Sequence, residues 1–180
     1  MKPTRLVRVL VVDDNRQMRI LVRELLRALD MRHCMEAGDV HEGLSLLRSW
    51  HADLVITDLA MGKEDGISFA RRIRLGPDSP NCTVPLIMMT GHAEMSRVSA
   101  AIDAGVNTFL AKPISAKSLA DHVSSALNDR RPFVRTSTFF GPDRRRRTLD
   151  NYPGPYRRLD DQNVHIEEDM SPPIFGSART

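Results

Sequence analysis

Several polar residues whose side chains could take part in a reaction each follow a short apolar run in the sequence. They are Asp13 and Asp14, Asp58, Thr90 and Lys112. Carboxylate oxygens are ligands that Mg²⁺ prefers, and an aspartate can also be the nucleophile that accepts a phosphoryl group. A lysine supplies a positive charge for phosphate oxygens. If these side chains meet in the fold, the set is typical of a phosphoryl-transfer site that uses a divalent cation.

These side chains can meet if the apolar runs are strands of one sheet. Runs at 6–12, 54–57, 86–89 and 108–111 are short and mostly apolar, and 33–37 is a weaker strand. Between them, apolar residues recur every three or four positions, which predicts helices. Strand and helix alternate five times. The sequence therefore predicts a parallel sheet with helices on both faces.

The helical segments carry apolar stripes and end signals. The first has its apolar residues at three- and four-residue spacing: Met18, Leu21, Val22, Leu25, Leu26 and Leu29. This spacing predicts a stripe that faces the sheet. Asp39 is a suitable N-cap for the second helix, which we expect to run to Trp50, and Gly105 should end the fourth.

The polar residues fall at the carboxyl ends of predicted strands, where parallel sheets bind ligands. If the first and third strands are neighbours, Asp13, Asp14 and Asp58 converge, because paired strands lie roughly 5 Å apart. Like charges at that separation repel one another, and a bound cation relieves the repulsion. Oxygen ligands alone favour magnesium. Taken by itself, the Asp13-Asp14 pair could equally be an acidic cap at a helix N-terminus.

The ordered set resembles the signature of response-regulator receiver domains, the phosphorylation switches of two-component signalling. The resemblance rests on Asp13-Asp14, Asp58, Asp65-Gly66, Thr90-Gly91 and Lys112-Pro113. It implies a receiver domain over residues 5–129. It also implies a flavodoxin-like, doubly wound five-stranded parallel sheet with strand order 2-1-3-4-5.

The resemblance assigns a role to each residue of the site. It implies that Asp58 accepts the phosphoryl group and that Lys112 pairs with the phosphate. Mg²⁺ would be held by Asp13, Asp14 and Asp58, together with the backbone carbonyl of Ala60. The phosphoryl donor would be a sensor histidine kinase or a phosphotransfer protein, and the output would be contact with a downstream protein whose identity is unknown.

The same resemblance predicts a conformational switch. Thr90 would move to hydrogen-bond the phosphate, and Phe109 would be the switch aromatic that turns inward when Thr90 shifts. The signal would be read on the face built by the fourth helix, fifth strand and fifth helix. A core aromatic on a strand is an alternative interpretation of Phe109. The Lys112-Pro113 bond is often cis in this family, and X-Pro bonds adopt the cis form most readily.

Three positions near the site vary from the family pattern or affect how long the phosphoryl group persists. Gly62 stands where the family usually has a proline, which predicts a looser loop. Ala60 and His92 occupy positions that set how long the phosphoryl group lasts. Ala60 also bears on an alternative function, because phosphatases with an aspartyl nucleophile typically carry a second carboxylate at this position as a general acid. We therefore expect a phosphoacceptor switch, with at most slow self-dephosphorylation, and not an enzyme.

The last part of the chain, residues 130–180, is rich in proline and arginine and has no apolar period. We expect a largely unstructured tail. Phe139 and Phe140 precede a run of four arginines at 144–147. Such a segment could grip an acidic partner or single-stranded nucleic acid, or it could be a solvated basic linker. No recognised DNA-binding module follows the receiver, so nucleic-acid binding is not favoured.

Composition limits the remaining classes of function. The formal net charge of +3 is modest, and the pI of about 9.2 owes much to arginines near the C-terminal end, so it says little about the fold. Cys34 and Cys82 form no spaced pair, which fits a reducing compartment. No apolar run approaches the roughly 18 residues of a membrane helix. These features predict a cytoplasmic protein without a membrane span.

Overall fold

Alternating apolar strands and amphipathic helices build the domain that carries the site. The computed structural model describes residues 6–91, 96–144 and 165–167. Five strands form the main sheet: β1 (Arg8–Val12), β2 (His33–Ala37), β3 (Leu54–Asp58), β4 (Leu86–Thr90) and β5 (Thr108–Ala111). Their order is β2-β1-β3-β4-β5, and every pairing is parallel. The predicted flavodoxin-like strand order is confirmed.

Five helices connect these strands and continue beyond the last one. They are α1 (Arg16–Ala28), α2 (Val40–Ser49), α3 (Gly66–Leu75), α4 (Val98–Asp103) and α5 (Ala116–Leu127). Asp39 caps α2 as predicted, its side chain accepting the N–H of Glu42, and Asp65 caps α3 in the same way through the N–H of Ser68. Such a cap contributes about 1 kcal/mol. No helix in the described part of the chain is both long and apolar enough to cross a membrane.

The side chains of β1, β3 and β4 alternate between two buried clusters, one on each face of the sheet. Leu10 and Val55 pack with α2 and α3, whereas Val9 and Ile56 pack with α1 and α5. This arrangement explains why these strands are apolar almost throughout. The predicted stripe of α1 is wrong at Leu21, which is 42% exposed. Leu21 lies about 100° around the helix from the buried Val22.

A second, three-stranded sheet forms within the predicted tail. It comprises β6 (Phe133–Arg135), β7 (Phe140–Pro142) and β8 (His165–Glu167), with antiparallel pairs in the order β7-β6-β8. The sequence patterns predicted no strand here. Residues 145–164 and 168–180 lie outside the described residues, so the tail prediction stays untested there. The boundary between residues 129 and 130 likewise remains a prediction.

Two glycines allow the β6–β7 hairpin to pack closely against the end of α4. Gly105 has a φ of +85°, as its predicted helix-stopping role requires, and a Cβ there would lie 2.5 Å from the carbonyl oxygen of Phe140. A Cβ on Gly141 would lie 2.7 Å from the Cα of Gly105. Arg144, just after the hairpin, forms an ion pair with Asp103 at 2.6 Å. The β6–β7 hairpin therefore packs against the domain that contains the main sheet.

Arg74 of α3 links the hairpin to the loops that flank β4 and β5. No sequence pattern indicated this role. Its guanidinium is buried and donates to the carbonyl oxygens of Cys82 at 2.6 Å and Gly105 at 3.0 Å, and to the Asn107 side-chain oxygen at 3.0 Å. It also lies 5.2 Å from the centre of the Phe133 ring. Burial lowers the pKa of Arg74 to about 9. The three acceptors offset part of the cost of burying this charge.

Candidate functional site

The predicted acidic residues meet at the carboxyl edge of the main sheet. Val12 pairs with Thr57, so Asp13 follows β1 beside Asp58, the last residue of β3. Asp13, Asp14 and Asp58 each offer a carboxylate oxygen, and these oxygens all lie within 4.8 Å of one another. Asp13 and Asp58 are buried, whereas Asp14 is exposed. Three carboxylates at this spacing form a candidate site for a divalent cation.

Lys112 brings a positive charge beside these carboxylates. Its Nζ lies 2.7 Å from Oδ1 of Asp58 and 3.9 Å from Oδ2 of Asp13. Lys112 follows β5 and reaches past β4, whose last residue, Thr90, accepts the backbone N–H of Lys112. The Lys112–Pro113 peptide bond is cis. The lysine is thus positioned to balance charge on Asp58.

Asp13 holds a buried oxygen that calls for a ligand. Its Oδ1 accepts the backbone N–H of Asn15 at 2.8 Å, while its Oδ2 has no hydrogen-bond donor among the described residues. Burial raises the pKa of Asp13 to about 6, and the negative charge of Asp58 adds to this increase. The Asn15 N–H and Lys112 act in the opposite direction. A cation at Oδ2 would give this oxygen a partner and would reduce the repulsion among the three carboxylates. These oxygen ligands therefore fit a hard divalent ion.

The raised pKa of Asp13 predicts a pH-dependent stability when no metal is bound. The pKa rises from 3.8 to about 6, so the folded protein binds more protons than the unfolded chain between these values. The free energy of unfolding therefore falls as the pH rises through that window, by on the order of 3 kcal/mol. Asp13→Asn should stabilise the metal-free protein at about pH 7 and far less at about pH 4, where Asp13 is already protonated in the folded state. Urea unfolding with a chelator, measured at both pH values, would contradict this if the variant's advantage were the same at each.

Asp14 is tied to the loop between β3 and α3. Its Oδ2 accepts the backbone N–H of Gly62 at 2.8 Å, although the two residues are 48 positions apart. Ala60 lies in the same loop and is exposed. The predicted ligand role of its carbonyl oxygen stays a prediction.

The two predicted switch residues lie on neighbouring strands. Thr90 is buried at the end of β4, and its hydroxyl donates to the carbonyl oxygen of Gly91 at 3.2 Å. Phe109 on β5 pairs with Met88, is half-buried and packs against the cluster under α2 and α3. This position is compatible with either a core aromatic or a switch aromatic. His92 lies outside the described residues.

Gly66 allows the start of α3 to lie very close to the backbone at the end of β3. In the sequence it stood out only as part of the Asp65-Gly66 motif. A Cβ at Gly66 would lie 2.1 Å from the backbone carbonyl oxygen of Asp58. The Gly66 N–H donates to the carbonyl oxygen of Leu59 at 3.0 Å. This contact seats the start of α3 against the end of β3. In the sequence, the only sign of this contact is a glycine directly before the apolar stripe of a helix.

Two arginines near the site were missed because their partners are distant in sequence. Arg97, next to α4, forms an ion pair with Asp65, the N-cap of α3. Arg19 of α1 donates to the backbone carbonyl oxygen of Asp13 at 2.6 Å and also pairs with Glu36 at 3.3 Å. These contacts fix the loops around the carboxylates. No local pattern marks either arginine.

Comparisons with known proteins agree with this geometry. A family model for the response regulator receiver domain matches residues 9–124. The chemotaxis protein CheY-3 of Vibrio cholerae is 33% identical over 115 residues, which cover 64% of this chain and 87% of the relative. The chemotaxis protein CheY of Pseudomonas aeruginosa is 32% identical over 117 residues, covering 65% of this chain and 93% of the relative.

Solved structures share the fold over the same region. A response regulator receiver domain protein from Clostridium thermocellum has a TM-score of 0.61 at 28% identity, covering 68% of this chain and 95% of its own. The receiver domain of the sensor histidine kinase PA1611 from Pseudomonas aeruginosa PAO1, which has a magnesium ion coordinated in its active site cleft, has a TM-score of 0.60 at 24% identity and covers 68% and 98%. Because the family model spans more than half of the sequence, this chain belongs to the response regulator receiver domain family.

Proposed function

We propose that this protein is a phosphorelay response regulator that accepts a phosphoryl group on Asp58 from a histidine kinase or phosphotransfer protein. The observation that carries the proposal is the position of Asp58. It is 4% exposed, lies 2.7 Å from Lys112 and shares the edge of the sheet with Asp13 and Asp14. A carboxylate in this setting can act as a nucleophile, with the positive charge of Lys112 already beside it.

In the proposed reaction an oxygen of Asp58 attacks the phosphorus of a phosphohistidine. The new O–P bond forms as the N–P bond breaks, and the electron pair of that bond stays on the imidazole nitrogen. Lys112 would neutralise charge on the phosphoryl oxygens, and Thr90, at the end of the neighbouring strand β4, would donate a hydrogen bond to them once it shifts. Asp13 would hold the cation in its ionised form, and the bound cation would in turn favour that form.

We further propose that the cation is Mg²⁺, held by Asp13, Asp14 and Asp58 with the Ala60 carbonyl. When bound, Mg²⁺ supplies positive charge to the phosphoryl oxygens and cancels the repulsion among the carboxylates. The support is the set of oxygen donors and the unsatisfied Oδ2 of Asp13. The magnesium ion in the Pseudomonas structure of the same fold agrees with this choice.

The output that we propose is protein–protein contact in the cytoplasm, not catalysis. Ala60 offers no general acid for turnover, so hydrolysis of the aspartyl phosphate should be slow. The alternative, in which Phe139 and Phe140 stack on the bases of a nucleic acid, is not supported because both side chains are buried. Each ring is already covered by an arginine, Arg144 and Arg135 respectively, at 4.2 Å.

A small acyl phosphate should label the protein when Mg²⁺ is present. We expect intact-mass spectrometry to show the addition of one phosphoryl group, and a chelator to prevent it, because the carboxylates then repel the donor. The label should also be labile to base, as an acyl phosphate is. A stable label, or labelling that ignores the chelator, would overturn the proposed chemistry.

A further inference from the structure

We propose that the backbone N–H of Gly62 is a positioning group that orients Asp14 for the cation. The inference rests on the proposed magnesium site. Asp14 is exposed, and an exposed carboxylate samples several rotamers that must be narrowed before it can serve as a ligand. The 2.8 Å hydrogen bond from Gly62 engages Oδ2 of Asp14 and leaves Oδ1 available.

The bond also connects two parts of the site. Asp14 follows β1, whereas Gly62 belongs to the loop that leads from Asp58 to α3. That loop carries Ala60, whose carbonyl is a proposed ligand. A single hydrogen bond therefore sets the position of one carboxylate relative to the loop, next to the buried Oδ2 of Asp13 that lacks a donor.

Neither backbone conformation nor space requires glycine at position 62. Among the glycines of the described residues, only Gly105 has a positive φ. A Cβ at Gly62 would meet Oδ2 of Asp14 at 3.5 Å, which is ordinary van der Waals contact. What this position supplies is the N–H. A proline at this position could not donate it, whereas Gly62 donates it to Asp14.

Two variants separate the N–H from the side chain. Gly62→Pro removes the donor, whereas the matched control Gly62→Ala keeps it. Isothermal titration of Mg²⁺ into the full chain should give an affinity for Gly62→Pro that is roughly fivefold weaker than that of Gly62→Ala, the value of one hydrogen bond of ordinary net strength. Equal affinities for the two variants would overturn the inference, since proline would then have removed nothing that the cation uses.

A second measurement tests the bond directly and needs no cation. Amide hydrogen exchange of Gly62, followed by NMR in the presence of a chelator, should be faster in Asp14→Ala than in the wild type, and intermediate or unchanged in Asp14→Asn, which retains an acceptor oxygen. Unchanged exchange in Asp14→Ala would show that the contact does not hold the loop. If the wild type itself bound no Mg²⁺, the proposed metal site would fail while the exchange result still decided the Gly62–Asp14 contact.

Discussion

Asp58→Asn should abolish phosphoryl transfer to this protein. The amide has nearly the same shape as the carboxylate, so the fold should survive, but its neutral oxygen is a far poorer nucleophile. The substitution also leaves Lys112 without the charge that lies 2.7 Å from its Nζ. Losing the nucleophile of a covalent step removes the whole reaction, so we expect no label above background from either a small acyl phosphate or a phosphorylated kinase.

Asp53→Asn is a matched control for this experiment. Asp53 also adjoins β3, at its opposite end, where its carboxylate accepts the backbone N–H of Arg8 at 2.9 Å. This substitution therefore removes the same charge beside the same strand without changing the site. Asp53→Asn should be labelled like the wild type. Persistent labelling of Asp58→Asn would sink the assignment, and equal loss in both variants would point to a general effect on folding.

The receiver fold was predictable because its two determinants are local. A strand that is buried on both faces must be apolar throughout, and Leu54 to Ile56 shows that pattern without interruption. A helix that covers a sheet must repeat its apolar residues at helical spacing, as Val22 and Leu26 do. The exception, Leu21, shows the limit of the method: spacing marks the centre of a stripe better than its edges.

The site was predictable for a topological reason. Neighbouring parallel strands have their carboxyl ends at one edge of the sheet, so residues at or directly after the ends of β1, β3, β4 and β5 lie at that edge. The contacts that hold the loops around them were not predictable. Arg97 and Asp65 are 32 positions apart, and nothing in either local sequence indicates the pairing. The Gly62–Asp14 bond depends on a backbone N–H, which leaves no mark in a sequence.

The hairpin was missed because it has no apolar period. β6 and β7 have three residues each, and their aromatic rings lie beside arginines. Arg74 lies against Phe133, and Arg135 lies over Phe140. A mixture of arginine, aromatic, glycine and proline residues is also typical of a solvated linker, so composition favoured the tail interpretation. The segment lies beyond residue 124, where the family match ends.

Truncation after Arg131 should destabilise the receiver, even though it removes no residue of the family match. Phe140 is 1% exposed and Val134 is 6% exposed, and the hairpin covers Arg74 and Gly105. Losing one buried phenylalanine typically costs about 3–5 kcal/mol. We expect a loss of unfolding free energy of about this size, measured by urea denaturation with circular dichroism, and Phe140→Ala in the full chain should reproduce most of it.

Truncation after Arg144 separates the hairpin from everything that follows it. This variant keeps β6, β7 and the Arg144–Asp103 ion pair, but it removes β8, whose His165–Glu167 backbone pairs with β6. We expect it to unfold close to the wild type, because three edge-strand residues contribute far less than a buried aromatic ring. If truncation after Arg131 were equally harmless, the folding unit would end near residue 129, as the sequence boundary predicts. If the two truncations lost the same large amount, the residues after Arg144, β8 among them, would be what holds the hairpin in place.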